Sequence, residues 1–169
     1  MRLVVTPGMG IGPEITAKAL RRLDLDMSIT LMGDEASICE ALQAAHLSFV
    51  PVKDQVPSTH GLYFSGSAST EPAPVAAIRR AAEACLQGRA DAMVTGPIHK
   101  ARLVEKGFPF MGHTDMLGDI CGRSPVMAFA GGSIRVALVT THLPLEAVPQ
   151  AVTRDRVEHV LRVTHQALQ

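Results

Sequence analysis

The sequence predicts an α/β protein whose mostly parallel sheet is flanked by helices. Short β-branched runs alternate with amphipathic helical segments over the first half of the chain, which is the rhythm of β-α-β units. The strands end in glycine turns, as at residues 8–12 and 96–97. Only 4% of the 169 residues are aromatic and Trp is absent. The core must therefore consist of Val, Ile, Leu, Ala and Met, which favours a sheet covered by Ala-rich helices.

Three strands and two helices are expected in the first third of the chain. Pro13 suits a first helical position because the N–H that it lacks would have no partner there. The apolar side of that helix is expected at Ile15, Ala19 and Leu20 or Leu23. The predicted elements are, in order, strand 3–6, the helix from Pro13, strand 28–32, helix 34–45 and strand 47–52.

The remainder of the chain continues the alternation and then changes character. Thr153 is a good N-cap for a last helix, which carries an apolar face at Val157, Val160, Leu161, Thr164 and Leu168. The other predicted elements are an edge strand or loop at 61–66, a helix from Pro72 or Pro74 to Leu86, a buried strand at 92–95, helices at 98–106 and from 112, and strands 126–130 and 134–140, which could form an antiparallel hairpin.

Charge and cysteine content exclude several classes of protein. The 16 Lys and Arg balance the 16 Asp and Glu, so the chain has no basic surface for nucleic acid or anionic membranes. No run of 18 apolar residues is present, and we expect a soluble, cytoplasmic protein. Cys39, Cys85 and Cys121 lie far apart in the sequence, which is typical of reduced thiols in a cytosol.

The glycine turn after the first strand allows two interpretations. Gly8, Gly10 and Gly12 precede a helix, where backbone N–H groups form a general anion site. Asp34 lies about where a ribose-binding acid follows a dinucleotide fingerprint, but the G-x-G-x-G spacing departs from G-x-G-x-x-G. A tight turn that needs positive φ is the favoured interpretation.

Taken together, the turn motifs resemble those of the 4-hydroxythreonine-4-phosphate dehydrogenase family of pyridoxal phosphate biosynthesis. The resemblance covers essentially the whole chain, and the order of the motifs makes it specific. They are T-P-G with G-I-G-P-E-I at 6–15, G-D at 33–34, T-G-P-I-H-K at 95–100, G-H-T-D at 112–115 and T-T-H-L-P-L at 140–145.

The resemblance implies a fold, a chemistry and site residues. The family has an isocitrate/isopropylmalate-dehydrogenase-like fold, is dimeric, and oxidises and decarboxylates a phosphorylated hydroxy amino acid with NAD (or NADP). Three histidines hold its divalent metal, and His142 matches the first of them. The ion is Zn, Co or Mg. His113 and Thr114 match the substrate-contacting pair, whereas His99 and Lys100 are weaker candidates.

Two features depart from the family pattern. Only Met9 separates Gly8 from Gly10, where the family carries a longer turn with an acidic residue and a proline. Residues 1–169 match the N-terminal part of a two-domain α/β dehydrogenase, with no internal linker, and end before the other two metal histidines. We therefore expect an apparently truncated chain, inactive alone, that forms a homodimer or associates with a C-terminal half.

Two other functions stay open. A sugar-acid-phosphate dehydrogenase, acting on threonate or erythronate 4-phosphate, belongs to the same superfamily and shares the G-H-T motif and the metal histidine. A binding or regulatory protein that keeps the fold without the chemistry is the alternative from another class.

Overall fold

The computed structural model divides into two compact units. It describes residues 1–23, 26–66, 69–105, 107–108 and 112–169, and of Lys100 only the backbone. The first unit runs from Met1 to Gly122 and the second from Arg123 to Gln169. Two predictions fall on residues or atoms outside this description: the Lys100 side chain as a candidate site group, and Lys106 as the end of the short helix.

The first unit contains a five-stranded sheet in which every pairing is parallel, as predicted. The strands β1 to β5 lie in the order β3-β4-β2-β1-β5. They comprise Arg2–Thr6, Ser28–Gly33, Val50–Pro51, Gly61–Gly66 and Ala92–Thr95.

Two expectations about strand position are wrong. Strand β4 is interior and not an edge or a loop, because β3 pairs with its outer side. Strand β5 is an edge of the described sheet and not a buried strand, and the side chain of Val94 is 50% exposed. The apolar sequence of β5 indicated burial, but no described element covers its outer side.

Five helices connect these strands. Helices α1 to α5 comprise Gly12–Leu20, Glu35–Ala44, Ala73–Leu86, Lys100–Glu105 and His113–Cys121. The apolar face expected on α1 is confirmed at Leu20 but wrong at Ile15 and Ala19, which are exposed, and Leu23 lies beyond the helix. Three small residues, Gly12, Pro13 and Ala17, complete the buried face. At Gly12 a side chain would collide with Pro7 O, so only glycine fits there.

Both faces of the sheet are covered, which makes the fold doubly wound. Leu31 of β2 packs with Leu20 of α1 and Leu42 of α2 on one face. On the other face, Val4 and Met32 pack against the alanines of α3, namely Ala77, Ala81 and Ala84. All six residues of β2 are buried, as expected for a central parallel strand.

The second unit is a hairpin followed by helices. Strands β6 (Ala128–Gly131) and β7 (Ile134–Ala137) pair antiparallel, which confirms the predicted hairpin with shorter strands. Helix α6 (Val148–Ala151) precedes α7 (Arg154–Ala167), whose N-cap Thr153 accepts a hydrogen bond from Arg156 N. Val160 is the one buried hydrophobic residue among those described in this unit.

Two further findings concern membrane-spanning helices and the cysteine thiols. Within the described ranges, every helix is too short or too polar to cross a bilayer. The three cysteines are free and half-buried. Burial raises the pKa of the Cys39 and Cys85 thiols, so these two stay protonated at neutral pH.

Candidate functional site

The turns that follow β1 and β5 meet at the carboxyl edge of the sheet. The two strands are parallel neighbours, so their carboxyl ends lie side by side. Gly96 N donates to Thr6 O at 2.6 Å, and Met9 N donates to Pro97 O at 2.8 Å. The T-P-G and T-G-P motifs, 89 residues apart in the chain, therefore form one interlocked structure.

Glycine is required in these turns because backbone packs directly on backbone. A Cβ on Gly12 would lie 1.9 Å from Pro7 O, and one on Gly96 would also lie 1.9 Å from that oxygen. Gly8 adopts φ +79°, and a Cβ there would lie 2.1 Å from Pro97 O. The favoured interpretation of the glycine turn is confirmed, with close approach as a second cause beside positive φ.

The same contacts argue against a dinucleotide cradle in this turn. A pyrophosphate site needs the N–H groups of the glycine turn directed at the ligand. Here the N–H of Met9 donates to Pro97 O, and that of Gly12 donates to Met9 O at 3.1 Å. The turn closes on itself and on the neighbouring strand end, so we assign it no phosphate.

Asp34 serves as the N-cap of α2. Its Oδ2 accepts hydrogen bonds from the Ser37 hydroxyl at 2.5 Å and from Ser37 N at 3.0 Å. These bonds lower the pKa of the Asp34 carboxyl below its ordinary value, with the hydroxyl contributing most. A structural role thus accounts for this acid without a bound ribose.

A cavity of about 420 Å³ lies beside the interlocked turns. Residues that follow β1, β2, β4 and β5 line it, as expected at the carboxyl edge of a doubly wound sheet. Arg102 of α4 supplies its positive charge and Asp34 its negative charge. Arg102 belongs to no motif in the sequence, which is why sequence reasoning missed it.

A second cavity, of about 640 Å³, lies at the carboxyl ends of β3 and β4. Its charges are largely satisfied within the chain, because Arg80 pairs with Asp54 at 2.8 Å and Arg79 with Glu71 at 3.1 Å. The hydrogen bond from Arg79 to Glu71 raises the pKa of that guanidinium further. Its arginines are therefore engaged in structural ion pairs.

His99 follows β5, at the strand end expected from the sequence. Its Nδ1 accepts a hydrogen bond from Arg102 N at 3.3 Å, so the imidazole caps the first turn of α4. This contact gives His99 a structural role that explains its position.

His113 and Thr114 form the first turn of α5. Helix α5 is fixed by Met116, which is 2% exposed and packs with Val75, Ile78 and Leu103. Leu103 also lines the smaller cavity, so α5 lies in the group of elements around the carboxyl edge. Both of these predicted site residues are half-buried, and the Nε2 atom of His113 is shielded from solvent. Positive potential at a helix N-terminus favours an anionic group beside this pair.

His142 belongs to the second unit. It lies five residues beyond the end of β7 and is exposed. Its φ of +57° is unusual for a residue with a side chain. His46 has a similar φ of +53°, which follows from its position just past the end of α2. His142 does not follow the end of a helix, so its positive φ indicates local backbone strain at this residue.

The described residues do not complete a metal site. Among residues 1–23, 26–66, 69–105, 107–108 and 112–169, no group of three or more His, Cys, Asp and Glu side chains could hold an ion. A catalytic zinc site normally has three protein ligands. His142 can supply one, and the others would have to come from elsewhere.

The fold and its site define a doubly wound α/β protein with polar residues at the carboxyl edge of the sheet. The model of the family described as pyridoxal phosphate biosynthetic protein PdxA matches residues 11–169, and the chain belongs to that family. It is 37% identical over 186 residues to 4-hydroxythreonine-4-phosphate dehydrogenase of Xanthomonas oryzae pv. oryzae. It is 38% identical over 188 residues to the enzyme of the same name from Thioalkalivibrio sulfidiphilus. This confirms the predicted family.

Solved structures share the fold. The structure of 4-hydroxythreonine-4-phosphate dehydrogenase from Klebsiella pneumoniae matches 99% of this chain with a TM-score of 0.83 at 22% identity. The structure of such an enzyme from Burkholderia phymatum matches 96% of the chain with a TM-score of 0.79. This likeness confirms the predicted α/β fold class.

The chain spans little more than half the length of these proteins. It matches 57% of the Xanthomonas relative, 56% of the Thioalkalivibrio relative and 58% of the Klebsiella structure. The alignment with the Xanthomonas relative is also longer, at 186 positions, than the 169 residues of this chain. That relative therefore has internal residues without a counterpart here, as the short first turn suggests.

Proposed function

We propose that this chain forms part of a metal-dependent, NAD-linked enzyme that oxidises and decarboxylates 4-phosphooxy-threonine in vitamin B6 biosynthesis. One observation supports this most. Residues 11–169 match the family model, and within them His113 and Thr114 occupy the first turn of α5. The relatives carry the name 4-hydroxythreonine-4-phosphate dehydrogenase.

The first role proposed for this chain's residues is substrate binding. His113 and Thr114 hydrogen-bond the polar end of the substrate, and the dipole of α5 stabilises negative charge on it. Met116, one turn further on, holds the helix in place through its buried contacts. The side chains of His113 and Thr114 thereby orient the substrate and do not exchange protons with it.

The second role is metal binding. His142 supplies one imidazole to a divalent ion, Zn, Co or Mg, and further ligands come from outside the described residues. The ion supplies Lewis-acid chemistry. The unusual φ of His142 supports this assignment, because strained conformations concentrate at functional sites. The nicotinamide cofactor, NAD or NADP, enters the proposal through the family, and no residue of the closed glycine turn is assigned to it.

The third element is association. The chain spans 57% of its Xanthomonas relative, and we propose that the active form is completed by polypeptide equivalent to the rest, which we call the remainder. A dimer of such complexes then forms the working enzyme. A non-catalytic binding protein is the second candidate, and the shortened first turn, in which Met9 N and Gly12 N donate within the protein, favours it.

The test combines this chain with the remainder of the Xanthomonas relative, co-expressed as a separate polypeptide. We expect the purified complex to hold stoichiometric metal and to form NADH with 4-phosphooxy-threonine. His142→Asn should lower metal content, while His165→Asn, at an exposed histidine of α7, should leave it unchanged. Thr114→Val should raise KM with metal retained.

Each alternative has its own outcome. Faster turnover of threonate or erythronate 4-phosphate than of 4-phosphooxy-threonine would assign the sugar-acid-phosphate reaction. Tight binding of phosphorylated substrate without NADH formation would favour the binding protein. A complex whose metal content is insensitive to His142→Asn would contradict the role of this histidine.

A further inference from the structure

The guanidinium of Arg102 differs from those of the arginines in the larger cavity. There, Arg79 and Arg80 both pair with carboxylates of the chain. The side chain of Arg102 makes no hydrogen bond or ion pair with the described part of the chain. Its positive charge is therefore available to a ligand in the cavity of about 420 Å³ that it lines.

Helix α4 holds this side chain at the cavity. Leu103, the next residue, is 4% exposed and packs with Ile78 and Met116. The backbone N of Arg102 donates to His99 Nδ1. These contacts fix the backbone from which the Arg102 side chain extends, and they leave its guanidinium unengaged.

The cavity lies where the topology of the sheet favours a ligand. Strand β1 has β2 on one side and β5 on the other, so the direction in which strands are added reverses at β1. Helix α1, which follows β1, packs through Leu20 on one face of the sheet. Helix α4, which follows β5, packs through Leu103 against α3, which covers the other face. Ligands of doubly wound sheets bind in the crevice at such a reversal.

The cavity contains two charges of opposite sign that do not pair with each other. Asp34 lines it together with Arg102, but the described bonds of the Asp34 carboxylate go to Ser37. The other lining residues are small or apolar: Gly8, Met9, Gly10, Pro72, Ala73, Pro74 and Leu103. A mostly apolar cavity with few polar groups is typical of small-molecule sites, whose volumes are roughly 300–1,000 Å³.

We propose that Arg102 binds a phosphate of the nicotinamide dinucleotide. A guanidinium holds phosphate through two parallel, charge-assisted hydrogen bonds. His113 and Thr114, which we propose for the substrate, are not among the described lining residues, so the cavity serves the second reactant. The phosphate belongs either to the pyrophosphate, which NAD and NADP share, or to the 2′-phosphate of NADP. This inference rests on the proposed function, in which the cofactor is a dinucleotide.

The test measures binding of NADH and NADPH, by their fluorescence, to the complex of this chain with the Xanthomonas remainder. We expect Arg102→Gln to weaken binding of NADPH, or of both cofactors, about tenfold. Arg102→Lys keeps the charge but loses the paired geometry, so its affinity should be intermediate. The control is Arg22→Gln, at an exposed arginine just past α1, which should leave both affinities unchanged. Equal melting temperatures of parent and variants exclude unfolding as the cause.

The pattern of affinities identifies the phosphate. Equal weakening of NADH and NADPH by Arg102→Gln would assign the pyrophosphate, and weakening of NADPH alone would assign the 2′-phosphate. In both cases added salt should weaken binding to the parent complex more than binding to the variant, because the charge of Arg102 is screened.

Three results would overturn the inference. Unchanged affinity of Arg102→Gln for both cofactors, in a complex that still forms NADH from its substrate, would leave the proposed function intact without this role for Arg102. Weaker binding of 4-phosphooxy-threonine alone would place the phosphate of the substrate at this residue. A parent complex that binds neither cofactor would contradict both the inference and the proposed function.

Discussion

The two units of this chain differ in how completely their own residues bury apolar surface. In the first unit, β2 is buried along its whole length and two core clusters cover opposite faces of the sheet. In the second, Phe129 is 60% exposed and Ile134 66%, although both lie in strands. The first unit thus buries most of its apolar surface within itself, whereas the second leaves large apolar side chains exposed.

This difference bears on the proposed site. His113 and Thr114, the proposed substrate-binding pair, belong to the well-packed first unit, while His142, the proposed metal ligand, belongs to the second. We therefore expect substrate-binding geometry to be preformed and metal binding to depend on association. Five predictions, each made with one or two substitutions, test how the two units are stabilised.

The largest expected effect is the loss of a core side chain from the first unit. Leu31→Ala removes a side chain that is 1% exposed and should lower the free energy of unfolding by about 2–5 kcal/mol. Leu161→Ala, at a 65% exposed position of α7, should cost less than about 1 kcal/mol. Urea denaturation followed by Tyr63 fluorescence for the first unit, and by circular dichroism for the helices of both units, measures the two losses. Equal losses of unfolding free energy in Leu31→Ala and Leu161→Ala would refute the difference in packing between the two units.

The interlocked turns should tolerate a methyl group poorly. Gly12→Ala places a Cβ against Pro7 O, and the required backbone shift should cost about 1–3 kcal/mol. Gly10→Ala is the control, because its Cβ would meet no atom within 4 Å and only its φ of +63° opposes it. That conformation costs roughly 1 kcal/mol. If Gly10→Ala proves the more damaging, close packing of the two turns does not set their stability.

A buried hydroxyl offers a stabilising change in the first unit. Thr30 is fully buried in β2, and its Oγ1 has no hydrogen-bond partner in the described structure. Thr30→Val removes that oxygen and keeps the shape, so we expect a gain of about 1 kcal/mol. Thr30→Ala serves as the control, since the cavity it leaves should offset the gain. A lower melting temperature for Thr30→Val would show that the hydroxyl is satisfied.

The Asp34 cap predicts a pH dependence. Asp34→Ala should cost about 1 kcal/mol at neutral pH. Because hydrogen bonds from Ser37 lower the folded-state pKa of Asp34, its charged form stabilises the fold above the unfolded pKa near 4. That stability is lost as pH falls through the lower folded pKa. Asp34→Asn keeps a cap without titrating, so its stability relative to the parent should rise in acid, as melting curves below pH 5 would show.

The smallest effect is expected at the hairpin of the second unit. Phe129→Ser should change the stability of the isolated chain by less than about 0.5 kcal/mol, because the side chain buries little surface. If the remainder covers the hairpin, the same variant should weaken their association. Calorimetric melting of Phe129→Ser and of the parent chain, each alone and in the complex, separates these effects.

Local pattern predicted most of the fold. Strand β2, helices α2, α3 and α5, and the hairpin all follow from β-branched runs, caps and glycine stops. The cap of α7 by Thr153 was predicted from sequence because it is a contact within one turn, whereas Asp34, considered there as a ribose-binding acid, is the cap of α2.

Position within the fold was harder to predict. The interior place of β4, the exposed edge at β5 and the buried face of α1 depend on contacts between distant residues. The periodicity of Ile15 and Ala19 indicates one face of α1, but the small residues Gly12 and Ala17 permit closer packing on the sheet. The sequence alone does not give the distance between α1 and the sheet.

The residues of the candidate site were predicted from motifs. The contacts in the structure account for the positions of only some of them. The helix start at His113 and Thr114 is confirmed, whereas their contact with a substrate, and that of His142 with a metal, stay predictions. Arg102 could not be found, because it enters the cavity only through the packing of α4 at the carboxyl edge.

Hydrogen exchange of the isolated chain and of its complex with the Xanthomonas remainder tests the central claim most directly. We predict strong protection of the β2 amides in both samples, and protection of the β6–β7 amides and of the His142 segment only in the complex. Hairpin amides as protected as those of β2 in the isolated chain would contradict the account, because the second unit would then be stable without a partner.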